Sequence, residues 1–398
     1  MKEKKLVPTL RFPEFEGEWK KKAINKIASV VGGGTPSTSN KEYWNGNINW
    51  FTPTEIKHNY VESSTRKISE LGLKKSSATL LPKGTILLTT RATIGEVSIA
   101  NKECTTNQGF QSLIVNKLNS IYFVFNLIKN NKKQLYKRAN GSTFSEISKK
   151  EVEKIKVLIP SLPEQQKIAS FLTSVDEKIR LLTEKKALLE QYKKGVMQQL
   201  FSQQLRFKDD NGKDFPDWEE KRLGEIGDIV TGKTPKTSDK ALWNGNIAFI
   251  TPTDIGMNKY QLLVNRTVKD NKKIKILPVG TVVYTCIASI GKISITTQPS
   301  ITNQQINSVI VNKQVLSEFL YYSLLKMTPK IKATLSNNTL PIINKTEFST
   351  FKISLPSKKE QTKIADFLSS IDTKIEKVAT QLQHTQQFKK GLLQQLFV

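Results

Sequence analysis

Residues 35–56 read TPSTSNKEYWNGNINWFTPTEI, and residues 234–255 read TPKTSDKALWNGNIAFITPTDI. Both stretches carry Trp-Asn-Gly-Asn-Ile followed by Thr-Pro-Thr, so that Trp44 corresponds to Trp243. Asn-Gly tolerates positive φ angles and predicts a tight turn just before the isoleucine. Two interpretations stay open for these stretches and the glycine-rich loops before them: a purely structural turn with a core tryptophan, or loop amides that contact a ligand.

The likeness extends outward through most of the chain. Downstream, LPKGTILLTTRATIGEVSI at residues 81–99 corresponds to LPVGTVVYTCIASIGKISI at residues 277–295. Further on, KKGVMQQLF at residues 193–201 corresponds to KKGLLQQLF at residues 389–397. A repeat of this length is too long for one solenoid unit. It predicts a duplicated domain that presents two similar surfaces about an approximate two-fold axis.

Each copy begins with a globular part of mixed secondary structure. β-branched runs predict strands at residues 85–90, 96–100 and 113–115, and the chain favours a helix at residues 121–139. A final strand ends at Pro160. The second copy predicts the same elements at residues 281–285, 292–296, 309–311 and 316–335, with the final strand ending at Pro356.

The sequence changes character after Pro160 and Pro356. Apolar residues then recur every seven positions among Lys, Glu and Gln, which predicts a long helix with one apolar stripe in each copy. We expect the two helices to pack against each other, although packing of each helix on its own domain would also fit the pattern. The predicted pairing residues are Ile168, Val175, Leu182, Leu189 and Val196 in the first helix, and Ile364, Ile371, Val378 and Leu392 in the second, where Thr385 interrupts the row.

The predicted fold class is α+β, with two similar globular domains separated by two long helices that pack as an antiparallel coiled coil with pseudo-two-fold symmetry. The expected boundaries are residues 1–160 and 206–356 for the domains, and residues 161–205 and 357–398 for the helices. The chain of 398 residues is long enough to bury a core in each domain without disulfide bonds.

The net charge and the two cysteines restrict the possible partners and the compartment of this protein. The chain carries 62 Lys and Arg residues against 35 Asp and Glu residues, a net charge of +27, which indicates a polyanionic partner such as nucleic acid. Cys104 and Cys286 fall at positions that do not correspond in the two copies, which favours a reducing compartment. The first residues lack the apolar core of a signal peptide, so we expect a soluble cytoplasmic protein.

Two catalytic motifs occur but lack the context that their chemistry requires. Residues 227–234 match the phosphate-loop pattern, yet neither a buried strand before them nor a helix start after them is predicted, and the first copy has no corresponding lysine. Residues 216–221 contain the letters of a PD…ExK nuclease site within six positions, whereas such carboxylates normally come from separate strands. The two histidines, His58 and His384, lie in unrelated contexts. We therefore predict no catalytic or metal site in this chain.

The ordered set of motifs resembles the specificity subunit of type I restriction–modification enzymes over essentially the whole chain. The motifs are LRFPEFEGEW, GGGTPSTS with YWNGNINWFTPTEI, LPKGTILLTTRATIG, TNQGFQSL and PSLPEQQKIASFL, with a second round of each. The resemblance implies two target-recognition domains that read a bipartite site in double-stranded DNA. It also implies that the helices act as a spacer and dock two methyltransferase subunits, which recruit restriction subunits with endonuclease and translocase activity. S-adenosylmethionine, ATP and magnesium would be used by those partners, and this chain would be non-catalytic.

Candidate DNA contacts follow from charge and from divergence between the copies, because phosphate contacts position a reader and base contacts specify its sequence. Thr106-Asn107-Gln108 and Thr302-Asn303-Gln304 carry amides that suit adenine edges, but a shared structural role fits them equally well. The basic candidates are Lys57, Arg66, Lys67, Lys74 and Lys75 in the first domain, and Lys259, Arg266, Lys269, Lys272 and Lys273 in the second. Arg91, in the predicted strand pair and aligned with Ile287, is a candidate base reader peculiar to the first domain. A solvated basic surface fits each of these residues equally well.

Two other classes of protein compete with this interpretation. An enzyme with an unrecognised site would cleave or methylate DNA by itself. A basic coiled-coil scaffold would bind duplexes without sequence preference, so that selection from random duplexes would yield no motif.

Overall fold

The computed structural model describes residues 6–139, 146–256, 258–270, 274–335 and 341–398. The chain divides into two compact units, the first formed by Met1–Thr183 with Thr380–Val398 and the second by Glu184–Ala379. Each unit therefore holds the globular part of one copy together with a segment of both long helices. Among the described residues, no helix is both long and apolar enough to cross a membrane.

The described residues of unit 1 form three antiparallel or mixed sheets. A five-stranded sheet has the order β2-β9-β6-β7-β4, a three-stranded sheet has the order β5-β3-β8, and β1 pairs with β10. The strands are β1 (Lys20–Ala23), β2 (Ala28–Gly32), β3 (Trp44–Phe51), β4 (Tyr60–Val61), β5 (Arg66–Ile68), β6 (Ile86–Leu88), β7 (Val97–Ala100), β8 (Cys104–Thr106), β9 (Gln111–Val115) and β10 (Lys156–Ile159).

The predicted strand pair of the first copy is confirmed, because β6 and β7 form an antiparallel hairpin with Leu88 opposite Val97. The single helix predicted for residues 121–139 is wrong in its continuity. Asn131 divides it into two helices, since it is the C-cap of the first and the N-cap of the second. The side-chain amide of Asn131 donates to the carbonyl of Leu127, one turn earlier. The helices of unit 1 before the long helix are α1 (Glu70–Lys74), α2 (Ile121–Asn130), α3 (Lys132–Tyr136) and α4 (Lys149–Glu153).

Unit 2 repeats this architecture. Its sheets have the orders β12-β19-β16-β17-β14 and β15-β13-β18, and β11 pairs with β20. The strands are β11 (Glu219–Arg222), β12 (Gly227–Thr231), β13 (Trp243–Ile250), β14 (Tyr260–Gln261), β15 (Arg266–Val268), β16 (Val282–Thr285), β17 (Ile293–Thr296), β18 (Ser300–Thr302), β19 (Ile306–Val311) and β20 (Lys352–Leu355). The long helix of the first copy is α5 (Leu162–Phe201), and that of the second copy is α9 (Lys358–Leu396). Unit 2 adds the shorter helices α6 (Leu223–Ile226), α7 (Ser317–Leu335) and α8 (Lys345–Ser349).

The core of each unit draws on both long helices. In unit 1, Ile168 and Leu172 of α5 join the same buried cluster as Leu392 and Leu396 of α9. In unit 2, the cluster instead combines the last turns of α5, including Val196 and Leu200, with the first turns of α9, including Ile364, Leu368 and Ile371. The start of one helix thus meets the end of the other, which is the predicted antiparallel packing. Of the residues predicted to pair, Leu189 is half-buried and the others are buried.

Among the described residues, an ion pair joins the two long helices in each unit. Lys389 Nζ lies 2.5 Å from Asp176 Oδ1 in unit 1, and Lys193 Nζ lies 2.5 Å from Asp372 Oδ1 in unit 2. The four side chains are largely withdrawn from solvent, so these pairs depend on a specific helix register. Thr385, which interrupts the apolar row, is buried with its hydroxyl donating to the carbonyl of Gln381 one turn earlier.

Candidate nucleic-acid interface

Three loops converge in unit 1. The Gly34 amide donates to the Thr106 carbonyl over 2.8 Å, and the Asn107 amide donates to the carbonyl of Phe51 over 3.0 Å. The contact is so close that a side-chain carbon at Gly33 would lie 2.0 Å from the carbonyl oxygen of Asn107. The glycine-rich loop, the Thr-Pro-Thr turn after β3 and the Thr-Asn-Gln loop after β8 therefore form one surface, which we call the loop cluster.

The Thr-Pro-Thr turn of the loop cluster is held by a carboxylate. Glu55 accepts hydrogen bonds from the backbone amides of Thr52 and Thr65, each over 2.7 Å, and from the Thr52 hydroxyl. Burial favours the protonated acid, but these hydrogen bonds outweigh it and lower the pKa of Glu55. Asp254 takes the same place in unit 2, where it accepts from the Thr251 amide and hydroxyl.

The loop cluster recurs in unit 2 with the same geometry. A side-chain carbon at Gly232 would lie 2.1 Å from the Asn303 carbonyl oxygen, and the Asn303 amide donates to Ile250 over 3.1 Å. The Thr234 hydroxyl donates to Gln304 Oε1 over 2.6 Å, as Thr35 does to Gln108 Oε1 over 2.5 Å in unit 1. Asn107 and Asn303 use their carboxamide oxygens within their own loops, accepting from the amides of residues 109 and 305. These hydrogen bonds stabilise the loops, and both glutamines are exposed.

The two repeated tryptophans lie beneath stacked arginines. Trp44 and Trp243 are buried, and each indole donates to a backbone carbonyl in the loop before it. The guanidinium carbon of Arg66 lies 3.6 Å from the centre of the Trp44 ring, and that of Arg266 lies 3.5 Å from Trp243. The stacking holds each guanidinium plane while leaving the arginine exposed. We did not anticipate this stacking from the sequence, although Arg66 and Arg266 hold corresponding places in the repeat.

The Asn-Gly turn expected before the isoleucine is instead a β-bulge. Asn45 and Asn244 have φ angles of 60° and 58°, as expected for the left-handed region, but the chain continues as one strand through β3 and β13. In β3, the pairing with β5 shifts so that Trp44 and Ile48 both lie opposite Ile68. The bulge turns Trp44 toward β5, which carries Arg66, and thereby brings the stacked pair together.

Several predicted basic residues surround the loop cluster of unit 1. Lys74 and Lys75 lie at the end of α1 and are exposed, and the following backbone at Ser77 would be 2.4 Å from a side-chain carbon at Gly34. Lys57 follows the Thr-Pro-Thr turn and is exposed, while Lys67 on β5 is half-buried. In unit 2, Arg266 and Lys269 are exposed, and Lys272 and Lys273 lie outside the described residues.

Lys259 departs from the expected exposed basic surface. It is 9% exposed, and its ammonium donates to the Tyr322 hydroxyl over 3.2 Å and to Ser369 Oγ over 2.6 Å. Burial lowers the pKa of Lys259. The ammonium of Lys259 is therefore engaged inside unit 2 rather than presented on its surface. Arg91 lies in the bend between β6 and β7, where it forms an ion pair of 2.7 Å with Glu146.

Both catalytic motifs have structural explanations. The first five residues of the phosphate-loop match are strand β12, and the chain after Thr234 runs through irregular loop and turn to a short 3-10 turn at Lys240–Leu242. In the PD…ExK match, the Trp218 indole donates to Glu360, and Glu220 pairs with Lys352 on the neighbouring strand. In the part of the chain that the structure describes, no group of three His, Cys, Asp or Glu side chains could hold a metal ion.

These features define a class of protein in which two similar domains, each with a loop cluster and nearby cationic residues, are built onto two antiparallel helices. The family model for the type I restriction modification DNA specificity domain matches residues 16–191 and again residues 216–384. The chain therefore belongs to this family, and the resemblance inferred from its motifs is confirmed.

Individual relatives agree with this assignment. The MjaIX specificity subunit of Methanocaldococcus jannaschii is 34% identical over 246 residues, covering 58% of this chain and 57% of that protein. The chain thus aligns with little more than half the length of that relative. The MjaVIII specificity subunit of the same organism is 25% identical, covering 96% of this chain and 92% of that protein. The crystal structure of a type I S subunit from M. genitalium shares the fold, with a TM-score of 0.63 at 18% identity over 98% of this chain and 99% of that chain.

Proposed function

We propose that this chain is the DNA-recognition subunit of a type I restriction–modification complex, acting on double-stranded DNA in the cytoplasm. Each domain reads one half of a bipartite site. The observation that carries the proposal is the loop cluster, which recurs in both units beside exposed basic side chains. The net charge of +27 supports a polyanionic partner, and the family match supports DNA as that partner.

Each part of the chain has its own task in such a complex. Residues 1–160 and 206–356 form the two target-recognition domains, and residues 161–205 and 357–398 form the helices that hold them. The helices dock two methyltransferase subunits, and restriction subunits with endonuclease and translocase activity join through those. S-adenosylmethionine, ATP and magnesium belong to the partner subunits, while this chain contributes recognition without catalysis.

Each domain uses two kinds of contact with DNA, one to phosphates and one to bases. Exposed cations beside the loop clusters, including Lys57, Lys74 and Lys75, contact phosphates and position each domain. The stacked Arg66 and Arg266 present guanidinium edges in a fixed plane, a geometry suited to the paired acceptors of guanine in the major groove. Arg91 remains a proposed base contact of the first domain, provided that it exchanges Glu146 for DNA.

The test is reconstitution of the full chain with its methyltransferase subunit, followed by mapping of methylated adenines on genomic DNA. We expect a bipartite motif, and we expect the chain alone neither to methylate nor to cut DNA. Arg66→Ala should relax or abolish recognition in one half-site, and Arg266→Ala in the other. Robust turnover by the pure chain would identify an enzyme instead, and selection from random duplexes that returned no motif would identify a scaffold without sequence preference.

A further inference from the structure

The two loop clusters share an exposed hydrogen-bonded pair, Thr35 with Gln108 and Thr234 with Gln304, which we call the Thr–Gln pair. Thr35 and Gln108 are separated by 73 residues in sequence and Thr234 and Gln304 by 70, yet both hydroxyls meet the glutamine carboxamide oxygen at nearly the same distance. Both glutamines are exposed and both threonines are half-buried. The close approach of Gly33 and Gly232 and the backbone hydrogen bonds of Asn107 and Asn303 also hold the loops together, so the Thr–Gln hydrogen bonds are additional to these contacts.

The hydrogen bond decides what each glutamine presents to a ligand. A carboxamide has one acceptor oxygen and one NH₂ donor group. Because the threonine hydroxyl donates to Oε1, the Nε2 group is turned away from the threonine with its two hydrogens available. Each loop cluster therefore presents a fixed hydrogen-bond donor, which suits a ligand group that only accepts.

We propose that Gln108 and Gln304 donate to phosphate oxygens of the DNA backbone, one in each half-site, and so position both domains without reading sequence. The inference rests on the proposed function, because it takes both loop clusters to face DNA. Phosphate oxygens only accept hydrogen bonds and occur at every nucleotide, whereas base edges offer both donors and acceptors in patterns that vary with sequence.

Comparison of the two copies supports a contact with the invariant part of DNA. The pair is preserved in both domains, while the segments between the Thr-Pro-Thr turns and Pro82 or Pro278 differ in sequence and length. A contact with the backbone is needed in either half-site whatever its bases are, so it suits the preserved part of the repeat. Cationic side chains also flank the pairs, with Lys233 and Lys236 exposed on either side of Thr234, and Lys75 preceding the segment that packs on Gly34.

The experiment uses the full chain carrying Gln108→Glu together with Gln304→Glu. The substitution keeps the size of the side chain and an acceptor for the threonine hydroxyl, but it replaces the donor with a negative charge. We expect affinity for a random-sequence duplex, measured by fluorescence anisotropy at fixed salt, to fall by about tenfold or more, because a hydrogen bond to a charged group is lost at each end. The melting temperature should not change, and the methylated motif of the reconstituted complex should keep the same bases.

The matched control is Gln198→Glu with Gln394→Glu, which adds the same charge at corresponding exposed positions on α5 and α9. Its affinity should stay within about twofold of the parent chain. Thr35→Val with Thr234→Val frees the amide to rotate and should weaken binding severalfold, whereas the matching serine substitutions should restore it.

Three results would overturn the inference. Equal affinity of the Gln→Glu variant and the parent chain would show that the glutamines do not contact DNA, while leaving DNA recognition by the chain intact. A changed base in either half-site of the methylated motif would make the glutamines base readers. Failure of the parent chain itself to bind any duplex would reject the proposed function as well.

Discussion

At the scale of single residues, lysines with the same sequence context differ in their exposure to solvent. Lys259 and Lys75 are both lysines in divergent segments, yet Lys259 is buried against Tyr322 while Lys75 is exposed. In unit 1, Asn59 replaces the buried lysine and accepts a hydrogen bond from Lys129. The two units therefore place different polar side chains at corresponding positions, next to β4 in unit 1 and next to β14 in unit 2.

The exposed lysines beside the loop cluster should govern the salt dependence of binding. Lys74→Ala with Lys75→Ala should make the slope of log affinity against log salt shallower by about two, because each lost phosphate contact releases about one fewer counterion. Titration of a random duplex at several salt concentrations measures the slope. Lys178→Ala with Lys185→Ala, two exposed lysines on α5, is the matched control. An unchanged slope in the first variant would place these lysines away from DNA.

At the scale of elements, the start of each long helix is tied to its domain by a buried carboxylate. Glu164 of α5 accepts two hydrogen bonds from Arg11, each over 2.8 Å, and one from the Trp19 indole. Glu360 of α9 receives the corresponding bonds from Arg206 and Trp218. The next residue of each helix, Gln165 or Gln361, bonds back to the domain in the same way. These polar contacts join the start of each helix to its domain.

Removal of this carboxylate should destabilise unit 1 strongly. Glu164→Ala leaves the Arg11 guanidinium and the Trp19 indole without their acceptor, and we expect a loss of about 3 kcal/mol in the free energy of unfolding. Urea unfolding followed by circular dichroism measures it. Glu177→Ala removes an exposed partner of Arg180 on the same helix and should cost less than about 1 kcal/mol. Equal costs for the two variants would show that the carboxylate does not tie the helix to the domain.

Buried tyrosines at the junctions of helix and domain should make stability fall in alkali. Burial raises the pKa of Tyr321 to about 12, and burial together with a hydrogen bond to Asp372 raises the pKa of Tyr322 further. Unfolded tyrosines ionise near pH 10. The folded state retains these protons above that pH, so the stabilising contribution is present below about pH 10 and is lost as pH rises through the folded pKa values.

The measurement is the free energy of unfolding between pH 9 and pH 11, with tyrosinate absorbance followed in parallel. Tyr322→Phe should reduce the slope of stability against pH above pH 10, because one group with a raised pKa is gone. Tyr136→Phe, an exposed substitution, serves as the control. A slope in Tyr322→Phe equal to that of the parent chain would contradict the assignment of this proton to the folded state.

At the scale of the whole molecule, the contacts that the ends of the long helices make with the two cores are also repeated. Phe397, at the end of α9, packs on Phe123 in unit 1 with ring centres 5.2 Å apart. Phe201, at the end of α5, packs on Phe319 in unit 2 with ring centres 5.6 Å apart. Asp176 pairs with Lys389 and Asp372 with Lys193, so the first copy alone carries both a matching acid and a matching base. Each copy therefore carries a counterpart of the acid, the base and the aromatic ring that its partner copy uses to complete a unit.

Residues 1–205 should accordingly form a homodimer that replaces the full chain. Two copies would pair Asp176 with Lys193 and place Phe201 on Phe123 of the other copy, and a two-fold pair of identical readers meets the two DNA strands in opposite directions. With the methyltransferase subunit, the methylated motif should be the first half-site followed by its own reverse complement after a spacer. An asymmetric motif would contradict the two-reader interpretation.

The charge pair provides the control for this experiment. Lys193→Asp in the half-chain should weaken the dimer by placing it opposite Asp176, as sedimentation velocity would show. Adding Asp176→Lys restores opposite charges in both contacts and should recover dimerisation. Buried Thr385 of α9 is replaced by Leu189 in such a dimer, and this substitution adds apolar surface to the helix contact.

The repeat, the heptad rows and the motif order are properties of the sequence, and they determined the α+β class, the paired long helices and the family. These signals are local in the chain or depend on its comparison with itself, so they need no knowledge of spatial neighbours. The tertiary structure decided which polar residues face solvent. In the structure, Lys259 is a buried hydrogen-bond donor, the Arg66 guanidinium stacks on Trp44, and Asn45 lies in a bulge. Each of these arrangements depends on residues that are distant in sequence. Burial is set by those distant neighbours, and so the Thr–Gln donors of the loop clusters could be recognised only once residues some seventy positions apart had been brought together.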